Sequence, residues 1–242
     1  MRFGLLIILF SSTVYSQNLH DLILSDLQEY ERPKLIEITT LINQNDSIGF
    51  NFEDMSVLIL SSSFDSAHIS ISRIGENIPM QELQLSYAIW MNYYNSAYLF
   101  DVDGNGFNDI LISSFPTGAT GIGANIPIIT CILNNNNKYQ VVTISSFGFD
   151  IEDSFFDFDD NQTFEFVCSS APEHPHHANN DGYYFLKVFS VQESRFVPMV
   201  DDKLKIKRMY VVKEDGSAIE SFLSVPDSLR RFWDFGPNIW VH

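Results

Sequence analysis

The chain has 242 residues and a formal charge of −17, with 31 Asp and Glu against 14 Lys and Arg. So acidic a surface repels phosphate backbones and anionic membranes, which sets nucleic acid aside as a partner. The chain is long enough for one sizeable core, and 21 Phe and 10 Tyr are available to fill it.

Arg2 precedes an apolar run from Phe3 to Phe10, and Ser11 to Ser16 then supplies small residues near a cleavage point. This reads as a signal peptide over residues 1–16, leaving 17–242 as a single β-rich domain in a secreted, periplasmic or extracellular setting. The run is too short to cross a bilayer, and no later segment reaches 18 uninterrupted apolar residues, so membrane insertion is not expected.

Residues 18–31 carry helix formers, with Leu19, Leu22, Ile23 and Leu27 on one face, until Pro33 interrupts the pattern. Beyond it the signal is almost wholly β. Strands are predicted at Leu35–Ile42, Val57–Ser62, Ala67–Ile74, Asp109–Ser114 and Ile126–Leu133, with Ala97–Phe100 strand-like. Further strands are predicted at Tyr139–Ile144, Thr163–Cys168, Tyr183–Val191 and Phe196–Val200. Met80–Tyr94 reads as a helix or a mixed segment, because aromatics obscure its period. Asn134–Lys138 and Glu214–Ser217 read as turns, and Pro226–Trp233 as one or two helical turns. Several strands end in serines, as at Ser61–Ser63, Ser113–Ser114, Ser145–Ser146 and Ser169–Ser170. The expected fold is all-β in the main, a propeller-like or meandering set of antiparallel strands with an N-terminal helix and a short C-terminal helical turn.

Between two of those strands runs Asp101-Val-Asp-Gly-Asn-Gly-Phe-Asn-Asp109. Side-chain oxygens fall at loop positions 1, 3, 5 and 9 (Asp101, Asp103, Asn105, Asp109), and Phe107 at position 7 offers its carbonyl. Gly104 and Gly106 give the backbone freedom of a tight ligand loop. Ca²⁺ takes about six to eight oxygen ligands, and three carboxylates in nine residues repel one another unless a cation lies between them. An ordinary Asp/Asn/Gly turn is the plainer alternative. An EF-hand is excluded, since position 12 is Ile112 and strands rather than helices flank the loop.

The pattern resembles the FG-GAP/VCBS-type calcium repeats of secreted and cell-surface β-propellers, with Asn105 where that pattern has Asp. The resemblance implies Ca²⁺ at this loop and a propeller-like fold. A second, degenerate copy can be laid on the first without a gap: Asp157, Asp159, Asn161, Thr163 and Glu165 stand 56 residues after their counterparts. In it Asp160 and Gln162 replace the two glycines, and a positive φ is unfavourable for either, so a distorted loop is expected.

Cys131 and Cys168 each lie in an apolar strand, and export permits a disulfide between them. Two buried free thiols remain the alternative. Glu173-His-Pro-His-His177 is the one histidine cluster. Pro175 breaks its spacing, so a loop without a fixed metal is the simpler reading. Gly118–Gly123 lacks the lysine of a phosphate loop, and Asn45-Asp-Ser47 and Asn161-Gln-Thr163 are weak glycan acceptors. No nucleophile elbow or His-Glu-x-x-His helix appears.

These features point to a non-catalytic calcium-binding module that meets an extracellular protein or glycan. An exported inhibitor is a variant of that reading, similar in layout to small bacterial lysozyme inhibitors. The alternative is a secreted metal-dependent hydrolase using the acidic clusters or His174, His176 and His177.

Overall fold

The computed structural model describes residues 19–38, 40–44, 47–63, 66–76, 78–85, 94–114, 127–145, 149–169, 181–192, 195–199, 204–213, 219–230 and 239–241. Residues 1–16, read above as a signal peptide, the His174–His177 cluster, the Gly118–Gly123 loop, residues 86–93 and the Glu214–Ser217 turn lie outside them.

The protein is mainly β, built from antiparallel meanders. A helix α1 (residues 19–27) leads into β1 (Ile36–Glu37). The first sheet follows in unbroken chain order: β2 (Thr40–Gln44), β3 (Ser47–Phe52), β4 (Met55–Ser63), β5 (Ser66–Arg73) and β6 (Gln81–Leu85). The second sheet holds β7 (Tyr94–Phe100), β8 (Asp109–Ser114), β9 (Ile128–Asn135) and β10 (Lys138–Ser145). Its edges are β1 beside β7 and β17 (Ile239–Val241) beside β10. The third comprises β11 (Phe155–Phe156), β12 (Glu165–Ser169), β13 (Gly182–Gln192), β14 (Arg195–Pro198), β15 (Met209–Val212) and β16 (Ile219–Phe222). The long β13 pairs with β12 on one side, and on the other with β14 near one end and β15 near the other. A 3-10 turn at Asp227–Leu229 falls within the helical turns predicted near the C-terminus.

The sheets stack in series, and burial explains their sequence patterns. In the first sheet Val57, Ile59, Ala67, Ile69 and Ile71 face inward, while the intervening Ser56, His68, Ser70 and Ser72 face outward, so apolar and polar residues alternate. The second sheet is covered on both sides. Ile110, Ile112 and Ile132 pack with the first sheet. Leu111, Ile129, Cys131 and Leu133 pack with Phe155, Phe166 and Phe189 of the third. Strands buried on both faces become continuous apolar runs, as Ile128–Leu133 is.

The third sheet's far face receives α1. Leu19, Ile23 and Leu27 recur at every fourth position and lie at 4%, 2% and 0% exposure against Phe156, Val167, Leu186 and Val188. Each contributes about 1.5–3 kcal/mol by burial. Asp26 accepts a hydrogen bond from Tyr210 Oη at 2.9 Å. The segment after α1 is strapped down by Arg32, whose guanidinium donates to Asp153 at 2.8 Å and lies 5.1 Å from the Phe156 ring centre. Asp157 N–H then donates to the Glu31 carbonyl at 2.9 Å.

Several expectations shift. The helix closes at residue 27. The single strand expected at Leu35–Ile42 is two, β1 and β2, which belong to different sheets. Gln81–Leu85, read as helical or mixed, is a strand, and β3, β11, β15, β16 and β17 escaped the sequence reading. Both cysteines are free, fully buried and packed in the same core cluster.

Candidate metal centres

The second and third sheets repeat one unit: strand, short acidic loop, strand, long connection, strand, tight turn, strand. The register is the evidence. Ile110 faces Ile132 as Phe166 faces Phe189, and Asn134 faces Tyr139 as Val191 faces Phe196. The β7–β8 loop is therefore equivalent to the β11–β12 loop, as the 56-residue spacing implies.

Local chemistry folds both loops the same way. Asp101 curls the first: its Oδ1 accepts from Asn105 N–H at 3.0 Å and its Oδ2 from Gly106 N–H at 2.7 Å. Asp157 does the same with Asn161 N–H at 3.1 Å and Gln162 N–H at 2.8 Å. Asn105 Oδ1 accepts from Phe107 N–H at 2.8 Å, and Asn161 Oδ1 from Thr163 N–H at 2.6 Å. The ninth residue reaches back to the second, Val102 N–H to Asp109 Oδ2 at 2.9 Å and Phe158 N–H to Glu165 Oε2 at 3.0 Å. Val102 and Phe158 are themselves buried, anchoring each loop to the core beneath it. The expected distortion of the second loop is absent. Asp160 (φ 58°) and Gln162 (φ 67°) adopt the left-handed conformations of Gly104 (φ 68°) and Gly106 (φ 87°).

Each loop gathers three carboxylates. Oxygens of Asp101, Asp103 and Asp109 lie within 4.8 Å of one another, and so do those of Asp157, Asp159 and Glu165. Among the described residues no ion pair engages any of the six. Burial pushes the Asp109 carboxyl up to about 8, with Asp103 and Asp101 adding to the rise and the Asn134 and Val102 N–H groups opposing it. Burial also raises Asp103. It lifts Glu165 to about 7, with Asp159 and Asp157 adding to it and the Phe158 N–H opposing. An inward-facing carboxylate that burial and like charge both disfavour is what a bound cation stabilises.

The structure thus brings together the six predicted carboxylates, with Asn105 and Asn161 in the same turns. Phe107 is exposed at the tip of its loop, and Thr163 lies in the other beside Asn161. The two loops also meet: a Cβ built on Gly104 would stand 2.6 Å from Thr163 Cγ2. Sequence reasoning passed over Asn134, which it placed only in a turn. Its N–H donates to Asp109 Oδ1 at 2.7 Å, and its carbonyl accepts from Asn105 Nδ2 at 2.9 Å, so the β9–β10 turn closes over the first loop. The signal was the run of four asparagines, an unusual stock of short polar side chains beside a loop that needs them.

The class defined by this fold and site is an antiparallel β meander with twin acidic strand-connecting loops. No family model, curated protein or solved structure matches the chain.

Proposed function

We propose that the protein is an exported, non-catalytic binding module whose β7–β8 and β11–β12 loops each hold a calcium ion. The observation that carries this reading is the duplicated cradle: four matching hydrogen bonds shape each loop, and in each the oxygens of three carboxylates lie within 4.8 Å of one another. An all-oxygen set of carboxylates, amides and carbonyls suits a hard cation, and its size and irregularity suit Ca²⁺ over Mg²⁺. The resemblance to FG-GAP/VCBS repeats belongs to the same proposal, as does an extracellular protein or glycan as partner.

The cations would tie adjacent strands and neutralise most of the charge in each loop, leaving surrounding loops to meet the partner. Extracellular calcium modules bind with Kd of about 10⁻⁴–10⁻³ M. At a hundredfold excess over Kd each site adds ~2.7 kcal/mol to stability. Thermal melting in calcium and in chelator tests the reading. The melting temperature rises in calcium, and Asp103→Ala removes the first loop's share of the rise. Equal melting in both conditions refutes it.

A further inference from the structure

The twin loops differ in what stands over them. Over the first, Asn134 closes the site, and Asp109 has no exposed surface. Asn134 does so with its main-chain N–H and carbonyl, whereas its register equivalent in the third sheet, Val191, makes no hydrogen bond to the second loop among the described residues. A cavity of about 400 Å³ is lined here by residues of the loop and of the hairpin strands. Asp159, Asn161 and Glu165 line it together with Val197, Pro198 and Met199. That volume suits a ligand of monosaccharide size. The hairpin contributes Ser190 and Gln192 as well, so polar and aliphatic groups together line the cavity beside the hard oxygens of the loop.

We propose that this cavity binds a neutral sugar, whose adjacent hydroxyls complete the coordination of a cation held by the second loop while its C–H face packs on Val197, Pro198 and Met199. The inference rests on the calcium reading. Charge selects the ligand class. A divalent cation among Asp157, Asp159 and Glu165 leaves the loop with one net negative charge, on a chain of −17. A carboxylate or phosphate ligand meets repulsion there, whereas hydroxyls are hard oxygens without charge. The first loop, closed by Asn134, stays a purely structural site.

The test uses the full chain, calcium-loaded, with methyl-labelled methionine, read by NMR. Met199 lines the cavity and reports directly, and Met199→Leu assigns its signal among the 6 methionines. The probes are methyl α-mannopyranoside, methyl β-galactopyranoside and, as the anionic arm, glucuronate. The Met199 signal should shift saturably with at least one neutral glycoside, bind glucuronate more weakly, and lose at least about tenfold in affinity when chelator replaces calcium. Val197→Trp, which fills the cavity from a position 38% exposed, should abolish the sugar response and leave calcium-dependent melting unchanged. A calcium-stabilised protein whose Met199 ignores both neutral glycosides overturns this inference and leaves the calcium reading standing. So does a response that persists in chelator or in Val197→Trp, or a preference for glucuronate. A protein that calcium fails to stabilise loses both.

Discussion

Stripping the divalent cation and raising the pH should expose the cost of ionising Asp109 inside the protein. Its ordinary value is 3.8, and burial lifts it to about 8 in the folded chain. The folded state then holds the proton more tightly than the unfolded one, so metal-free stability is greatest below the ordinary value and falls as pH rises through the window between the two. Asp109 has no exposed surface, so solvent screens little of the effect. Between about pH 5 and about pH 8 this one carboxyl accounts for a loss of ~3–4 kcal/mol. For a chain of this size that lowers the melting temperature by about 10 °C. With calcium bound the sign reverses, because the cation favours the ionised carboxylate, and the difference in melting temperature between calcium-loaded and metal-free protein widens with pH. The assay is melting by near-ultraviolet circular dichroism across the pH series, on protein dialysed free of metal and on the same protein with calcium restored. A flat metal-free profile, or a fall of equal size in calcium, refutes the reasoning.

Gly104→Ala should destabilise by ~2–3 kcal/mol, from a left-handed backbone (φ 68°) plus a Cβ lodged 2.6 Å from Thr163 Cγ2. Gly106→Ala, with φ 87° but open space around it, should cost only about 1 kcal/mol. Urea unfolding measures both, and Thr163→Ser should restore part of the loss for Gly104→Ala and none for Gly106→Ala. Burial pushes the Cys131 and Cys168 thiols well above their usual range, so iodoacetamide should label them only in denaturant. A native mass lower by two hydrogens, or a melting temperature that falls in reductant, would show a disulfide instead. Leu27→Ala should cost ~2–5 kcal/mol in urea unfolding, since it opens a void between α1 and the third sheet.

What the sequence made legible follows from how local each cause is. Curling of the first loop depends on Asp101, Asp103, Asn105 and two glycines within nine residues, so the motif was visible. The second loop looked impaired because Asp160 and Gln162 are poor hosts for positive φ. Yet Asp157, accepting from two successive N–H groups, holds them there at ordinary hydrogen-bond distances. Alternation revealed β4 and β5, because among the described residues only one face of the first sheet is packed against a core. β3 has the same alternation in Ile48, Phe50 and Phe52, but Gly49 and Asn51 between them lowered its strand propensity. The split at Leu35–Ile42 was invisible, since nothing local marks where a strand leaves one sheet for another.

The cavity belongs to a further category, because its cause is a difference between two equivalent positions rather than a property of either. Asn134 and Val191 are 57 residues apart, whereas the acidic loops are 56 apart, so a gap-free overlay pairs Asn134 with Ser190. Only the strand register shows that the residue closing the first loop has an aliphatic counterpart over the second. The fold holds both loops in one conformation through matching hydrogen bonds, so the pair behaves as an internal control: the same cradle, with a strand hydrogen-bonded over it in one copy and, among the described residues, not in the other. Divergence of function within such a repeat needs no new loop chemistry. In the calcium reading, a hairpin whose main-chain N–H and carbonyl no longer reach the loop is enough to turn a closed cation site into one with an open face.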